Sequence, residues 1–546
     1  MATDMVTAMV MAARQSSSLS REVVVSAIPF FSGMASCQVV KLTVHALLGV
    51  VCLLPQITWS QSESQSELGG GSSITVVPRV SVSENYTNNV FLQRSDGKSE
   101  FITQISPGIS IDSRSGRVKG RFDYSLNQLF YANNTSAHRT QNSLNTVGTI
   151  EVVDNWAFID FSGNISQQAI SAFGTQSNNP LAVNSNSTET SVYSLSPYLR
   201  GRLGAFADYT ARYSWSTTRA GIATLADAKS KEASFVLNGI SSGPLGWNAE
   251  ASSQNFAYSA GRTIGEDRLK ASLTYSFSPQ VNVFLSGARE SNNYTTADKQ
   301  AHGATGAGLN WAISENSKLL AQLERRSFGH SHILSFNHRT PRTAWRFTDS
   351  QDVAASPVQS GSTVLGSLSD LLYGQFASIE TDPFKRSQLV NQFMRNNGFS
   401  ADTKVIGNFL AASASLQRRQ DASFALLGIR DTVTFSLTRG TNSRLGNFVT
   451  ALDDLSSSSI VRQTGASIAY AHLLTPDAAL NMVAARQNTS GAVGVQGNSL
   501  RSFDVTLSGR LGRQVSASIG ARRVFFDSVV SPYAETAVIG NVSMQF

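Results

Sequence analysis

The chain has 546 residues and a formal net charge of +7, and only 15% of its residues are charged. Soluble domains average about 25% charged residues, so an ordinary solvated helical protein is excluded. The positive charge is spread along the sequence without a lysine or arginine cluster, so no nucleic-acid partner is expected.

The first part of the chain, residues 1–60, is predicted to be a leader. Lys41 precedes a short apolar run over residues 42–54, and small residues lead up to Ser60. A basic residue, a short apolar core and small residues at the cut are the parts of a secretory signal peptide. We expect cleavage near Ser60, and Met34 as the true start because it gives a leader of normal length.

Both cysteines, Cys37 and Cys52, lie in this leader. The mature chain would then have no disulfide and no thiolate metal site, and we expect no metal or other cofactor. The alternative to cleavage near residue 60 is lipidation of Cys37 or Cys52, but neither follows a convincing lipobox.

The mature chain begins with residues 61–73, QSESQSELGGGSS, which predict a polar, flexible linker. From there, residues 74–546 alternate between apolar and polar side chains; for example, Tyr209, Ala211 and Tyr213 alternate with polar residues. A period of two indicates strands with two unlike faces. No apolar run after the leader approaches the ~18 residues of a membrane-spanning helix, and without such helices only a closed barrel satisfies the backbone in lipid.

The connections between the predicted strands alternate between tight turns and longer polar stretches. The tight turns are Asp154-Asn155, Leu203-Gly204, Pro279-Gln280, Pro476-Asp477 and Gly512-Arg513. The long stretches are 83–100, 132–141, 169–189, 217–229, 291–300, 440–459 and 490–498. This asymmetry is typical of bacterial outer-membrane barrels. We predict an all-β, transmembrane antiparallel β-barrel over residues 74–546 with about 22 strands, in a range of 18–24; the alternative is a soluble secreted β-protein.

The C-terminal residues predict a final amphipathic strand. Val542, Met544 and Phe546 alternate with Asn541, Ser543 and Gln545. A terminal strand with a last aromatic residue resembles the signal that the barrel-assembly machinery reads. Outer-membrane lipid and this machinery are therefore the expected partners.

One segment, residues 365–399, departs from the strand pattern. Leu368 and Leu372 have helical spacing, and Asp382 followed by Pro383 predicts the start of a second helix. We expect a helical hairpin inserted in the barrel. A plug inside the lumen, a contact site on the rim and a packed loop without further role are the three alternatives for it.

Charged residues between apolar strand neighbours are expected to point into the lumen. There they would set charge selectivity, or else only solvate and cross-link the lumen wall. The candidates are Arg121, Asp123, Asp208, Arg212, Arg268, Lys270, Asp504 and Arg510.

Three further sequence patterns bear on specific chemistry. His330 and His332 share a predicted strand face, but no carboxylate or cysteine at ligand spacing completes a metal site. The stretch around Ser241 matches the nucleophile pattern G-x-S-x-G, yet a turn between strands follows it instead of a helix. We therefore expect no enzyme. Four tryptophans are expected in an interfacial girdle, with saccharide stacking as the alternative for any that face inward: Trp156, Trp215, Trp247 and Trp345.

Residues 74–546 resemble the outer-membrane proteins associated with the PEP-CTERM/exosortase system. The similarity rests on ITVVPRVSVSENYTNNVFL with FITQISPGISID, on HRTPRTAWRF, and on LSDLLYGQFASIETDPFKRSQLVNQFMRNNGFS. The resemblance implies a barrel that acts beside exopolysaccharide synthesis and export, with polysaccharide and periplasmic export components as partners. It supplies no catalytic residues.

The function expected from these observations is a channel or accessory pore for exopolysaccharide secretion in the outer membrane. The first alternative is a structural barrel that conducts nothing and docks periplasmic export partners. The second, an outer-membrane enzyme acting on lipid or glycan, would depend on Ser241.

Overall fold

The computed structural model describes residues 74–546 except for positions 115, 222–226, 242, 260, 356–357, 360–385, 387–389, 391–408, 447–452 and 496. The predicted leader and linker lie outside the described residues. The helical hairpin predicted over residues 365–399 also lies outside them, apart from Arg386 and Val390, and it stays a prediction.

The described residues form strands in chain order, because the sequence alternates apolar and polar side chains almost without interruption. The strands are β1 (Ile74–Thr87), β2 (Glu100–Arg114), β3 (Val118–Tyr131), β4 (Arg139–Val153), β5 (Ala157–Ala169), β6 (Ser187–Leu203), β7 (Ala207–Ala220), β8 (Ala228–Gly239), β9 (Leu245–Tyr258), β10 (Ile264–Ser278), β11 (Val281–Asn292), β12 (Gln300–Ser314), β13 (Ser317–Arg326), β14 (Gly329–Arg339), β15 (Thr343–Ala354), β16 (Val358–Gln359), β17 (Phe409–Leu410), β18 (Ser415–Leu427), β19 (Asp431–Arg444), β20 (Ile460–Thr475), β21 (Ala478–Ser490), β22 (Asn498–Arg510), β23 (Val515–Ser528) and β24 (Tyr533–Gln545).

The sheet closes on itself. β1 pairs antiparallel with β2 on one side and with β24 on the other, where Val82 lies opposite Val542. β15 pairs directly with β18, so the two-residue strands β16 and β17, which pair with each other, are not part of the barrel wall. The remaining strands form a closed, 22-stranded antiparallel barrel. This confirms the predicted fold class and strand number.

Helical structure is confined to the loops in the part of the chain described. A 3-10 turn covers Thr135–Ala137, and a short helix, α1, covers Asp454–Ser457. No helix among the described residues is long and apolar enough to span a membrane.

The two ends of the barrel differ in the length of their connections, as the sequence predicted. All five predicted tight turns lie at one end, where Asn155 and Gly204 have φ angles of 56° that suit tight turns between strands. The longer connections, including residues 88–99 and 170–186, lie at the other end. Because short turns face the periplasm in such barrels, the first and last strands begin and end on the periplasmic side.

The exterior of the barrel is apolar. On β10, Leu269, Leu273 and Phe277 are 62%, 58% and 69% exposed, while the intervening Lys270 and Ser272 point to the other face. Large apolar side chains presented so regularly to the outside of a closed barrel require lipid around them. The protein is therefore an outer-membrane β-barrel of a bacterium.

The four predicted girdle tryptophans lie on this exterior. Trp156 donates from Nε1 to the hydroxyl of Tyr209 at 2.9 Å, and Trp247 packs against Phe206 with ring centroids 5.1 Å apart. Both pairs lie by the short turns, as does Trp345. Trp215 also faces outward but lies farther along β7, away from that end.

Candidate functional site

The connection between β5 and β6, residues 170–186, folds into the barrel; we call it the inner loop. Two buried tyrosines on the inward face of the wall hold its backbone. Tyr131 of β3 donates to the carbonyl of Leu181 at 2.7 Å, and Tyr533 of β24 donates to the carbonyl of Gln176 at 2.6 Å. The inner loop therefore extends from β5 and β6 to the strands near the β1–β24 closure of the barrel.

One buried contact of the inner loop is a polar cluster that we call the latch: Thr87, Asn179, Arg522 and Glu535. The side chain of Glu535 is fully buried. Its Oε1 accepts hydrogen bonds from Asn179 Nδ2 at 2.6 Å and from Thr87 Oγ1 at 2.8 Å, and it lies 3.9 Å from Arg522 Nη2. Since a buried carboxylate is stable only when paired and hydrogen-bonded, the latch depends on the loop being docked.

Short side chains within the inner loop set its conformation. Asn186 accepts from the backbone N–H of Ser171 at 2.9 Å and donates to the carbonyl of the same residue. Asn179 accepts from the N–H of Leu181 at 3.0 Å, a side-chain-to-backbone turn that fixes which way its amide points. Leu181 packs against Val90, Ile102, Leu129 and Tyr131. The loop is thus ordered by its own hydrogen bonds, and further apolar contacts anchor it, since Ala182 clusters with Phe526 and Tyr533 and Ala172 clusters with Leu455 and Val461.

Gly174 allows a close approach within the inner loop. A Cβ atom placed there would lie 2.5 Å from the Asn186 side chain, which its three hydrogen bonds hold in place. We predict that Gly174→Ala loosens the inner loop at a cost of about 1–3 kcal/mol. Hydrogen exchange of the backbone amides of residues 171–183 measures this and should speed up.

The matched control for that prediction is Gly116→Ala in the β2–β3 turn, because a Cβ there meets open space. Exchange in the inner loop should not change in the control. Unchanged protection of the inner loop in Gly174→Ala would contradict the proposed packing.

A second anchor ties the start of the inner loop to α1. Asp454 accepts hydrogen bonds from Ser171 Oγ and from the N–H of Ala172, both at 2.6 Å. Burial raises the pKa of the Asp454 carboxyl from 3.8 to about 6, against the opposing effect of these two bonds, and the neighbouring Asp453 adds to the rise. The anchor is therefore pH-sensitive near neutrality.

The sign of this pH dependence follows from the raised pKa. The folded protein binds the proton more tightly than the unfolded chain, so the stabilising effect of protonation is complete below pH 3.8 and is lost as the pH rises through about 6. We predict that Asp454→Asn raises the thermal unfolding temperature at pH 8 and changes it little at pH 4. An equal effect at both pH values would contradict this.

Beneath the inner loop lies a cavity of about 1570 Å³ between the loop and the inward faces of β1–β5 and β20–β24. Its wall consists mainly of serine, asparagine and glutamine, with a few charged groups that include Arg79, Asp504, Arg510 and Arg522. No aromatic ring lines it in the part of the chain described. The cavity suits a hydrated polar solute and offers no platform for sugar stacking.

The predicted lumen residues occupy the polar faces of their strands, and cross-strand partners neutralise most of them. Asp123 receives two hydrogen bonds of 2.7 Å from Arg79 and lies 3.6 Å from Arg121. Arg212 pairs with Asp160 at 2.7 Å.

Most of the other predicted lumen residues also lie beside a group of opposite charge. Arg268 and Lys270 both bind the buried Glu324, the former at 2.5 Å. Asp208 pairs with Arg202 at 3.0 Å near the short turns. Asp504 lies opposite Arg522 on the next strand, and Arg510 lines the cavity farther down. Wall cross-linking is visible in this pairing, and a role in charge selectivity stays a prediction.

One buried cluster was missed at the level of sequence. Arg326 of β13 binds Glu290 at 2.9 Å, Asp352 at 3.1 Å and also Glu266, and its guanidinium lies 4.9 Å from the centre of the Phe328 ring. Glu290 is fully buried and Arg326 nearly so. The cluster joins four strands at the loop end, and only the register of those strands brings it together.

The other motifs form no site. His332 pairs with Asp349 at 3.1 Å and His338 with Ser317 at 2.8 Å, and no metal-binding group of three such side chains exists among the described residues. Ser241 lies in the turn between β8 and β9 and bonds to Gly243 within that turn. The described residues of this turn lead from one strand into the next strand and form no strand-to-helix elbow of a serine nucleophile.

Comparisons with known proteins find similar folds only among solved structures. No family model matches the chain, and no curated protein does. The siderophore receptor PirA from Pseudomonas aeruginosa is similar with a TM-score of 0.41 and 9% identity, over 86% of this chain and 80% of that one. The FrpB iron transporter from Neisseria meningitidis is similar with a TM-score of 0.46 and 10% identity, over 86% and 81%. The likeness is one of fold alone.

Proposed function

We propose that the protein is an outer-membrane channel for hydrophilic solutes, closed on its loop side by the inner loop, and that it serves the export of a surface polysaccharide. The observation that carries the channel is the polar cavity directly under the latch. The polysaccharide as solute is supported by the resemblance of three sequence stretches to the PEP-CTERM-associated barrels.

The physical basis of the proposal is the size of the barrel and the polarity of its wall. A ring of 22 strands encloses a lumen too wide for wall side chains alone to fill. Here the inner loop fills part of it and is held by polar contacts and by apolar contacts of Ala172, Leu181 and Ala182. Such a loop can move out of the lumen while the backbone hydrogen bonds between the wall strands stay intact.

The test is permeation through the purified protein in lipid vesicles. A variant in which residues 174–184 are replaced by Gly-Ser-Gly-Ser should pass neutral sugars of increasing size faster than the wild type, measured by vesicle swelling. Val529→Ser, in the exposed β23–β24 turn, is the control and should behave as the wild type.

The rival function is a scaffold barrel that conducts nothing. It predicts no swelling and no single-channel current in either the wild type or the shortened variant. That result in folded, heat-modifiable protein would overturn the channel.

A further inference from the structure

The exterior of six consecutive strands, β18 to β23, carries an arginine on each strand near the loop end. We call this set the arginine belt, and every member is exposed. Its members are Arg418, Arg439, Arg462, Arg486, Arg501 and Arg523.

The arginine belt faces lipid and not the lumen. On β19, Arg439 follows Phe435 and Leu437 on one face, and Leu437 is 60% exposed, whereas Ser436 on the other face is buried. On β22, Arg501 shares the face of the exposed Phe503. Since side chains alternate strictly along a strand, these guanidinium groups lie outside, directly beyond the apolar surface.

The six arginines also lie at similar heights. Arg486 and Arg501 are register partners, and Arg523 is set two residues further toward the short turns because its partner is Phe503. Because the strands are tilted, residues at the same height in the membrane are shifted by about one residue from each strand to the next. Each arginine lies within six residues of the loop end of its strand. Arg462 lies two residues nearer the loops than Arg439, so the six arginines form a band a few residues deep at the outer-leaflet boundary.

The protein neutralises only part of this charge. Asp349 accepts from Arg418, and Asp527 accepts from Arg501, each at 2.8 Å or less. Arg439 and Arg462 have no ion-pair partner among the described residues. At the opposite end of the same face lies an acid, Asp431. On the outward strand faces, the arginine belt therefore leaves an excess of cations on the outer-leaflet side, where unpaired charge beside hydrocarbon is costly.

We propose that the arginine belt binds the phosphate groups of a phosphorylated glycolipid in the outer leaflet. Guanidinium groups bind phosphate through paired N–H donors, and they remain charged at any physiological pH. The acyl chains of the same lipid would lie against the exposed apolar residues below, such as Phe435, Leu437 and Phe503. Charge complementarity above and apolar contact below fit a headgroup lipid better than a free anion.

The test uses purified protein in detergent with bisphosphorylated lipid A as the probe and native mass spectrometry as the readout. The variant Arg439→Gln, Arg462→Gln, Arg486→Gln should bind lipid A about tenfold or more weakly, since each cation near an anionic surface contributes about 1 kcal/mol. The matched control removes three arginines from short turns: Arg117→Gln, Arg430→Gln, Arg513→Gln. It should bind as the wild type does.

Dephosphorylated lipid A separates the headgroup from the chains. It should bind the wild type about as weakly as phosphorylated lipid A binds the triple variant. The proposal is overturned if the triple variant keeps wild-type affinity, if the short-turn control loses as much, or if inorganic phosphate at millimolar concentration displaces the lipid completely. If the triple variant does not fold, the single exposed substitution Arg462→Gln gives the same test with a smaller loss. Neither result depends on whether the barrel conducts.

Discussion

Asn179→Asp will open the barrel. The substitution keeps the shape of the side chain and its bond from the N–H of Leu181, but it places a carboxylate where an amide now donates to the fully buried Glu535 at 2.6 Å. Two carboxylates at that distance repel each other strongly unless one of them takes up a proton, so at alkaline pH the inner loop should leave the wall. We expect a severalfold larger single-channel conductance than in the wild type.

A compensating variant makes this prediction specific. In Asn179→Asp with Glu535→Gln, the new amide at position 535 can donate to the new carboxylate, and conductance should return close to the wild-type value. Glu535→Gln alone retains an acceptor for Thr87 and Asn179, so it should change conductance little. A double variant as open as Asn179→Asp would show that the latch does not hold the loop.

Arg326→Met will strongly lower the free energy of unfolding of the barrel. It leaves the fully buried Glu290 without its cation and removes the bonds to Glu266 and Asp352. Removing one partner of a buried ion pair costs roughly 3–5 kcal/mol. Urea unfolding in lipid vesicles, followed by tryptophan fluorescence, measures this loss.

An exposed pair provides the control for this loss. Arg117 and Asp154 form an ion pair at 2.8 Å with side chains 68% and 69% exposed, and Arg117→Met should cost less than about 1 kcal/mol. Adding Glu266→Gln and Glu290→Gln to Arg326→Met should restore part of the stability. Equal losses at Arg326 and Arg117 would contradict the role given to burial.

The barrel could be predicted from the sequence because the two faces of each strand contact different media, lipid outside and water inside. Alternation such as Leu269, Lys270, Ala271 and Ser272 follows directly from one face in lipid and one in water. Strand number and turn positions were also predictable, since Gly204 and Asn155 mark hairpins that few other residues allow. These signals are local, and each depends on a few neighbouring residues.

The course of the inner loop could not be predicted for the opposite reason. Residues 169–189 were predicted as one of the long loops, but the bond from Asn179 to Glu535 joins positions 356 residues apart. No local pattern records such a partner. The same holds for Glu324, which binds Arg268 and Lys270 only because strand register brings β13 into their reach.

The arginine belt was missed because charges in a linear sequence look scattered. Arg439, Arg462 and Arg486 are separated by more than twenty residues each, yet successive strands bring them side by side. The sequence did contain one signal. Along β19, Arg439 occupies a position on the apolar face, where the alternation predicts a Leu or Phe. Tracking which face each charge interrupts would have found it.

If the inner loop controls passage through the lumen, a reversible cross-link between the loop and the wall will control it too. Thr175 Oγ1 and Ser531 Oγ lie 2.8 Å apart, and the mature chain has no other cysteine if the leader is removed. In Asn179→Asp protein carrying Thr175→Cys and Ser531→Cys, conductance should be low when the disulfide is formed and should rise severalfold on reduction. The same conductance in both states, with the cross-link verified by mass, would contradict the account.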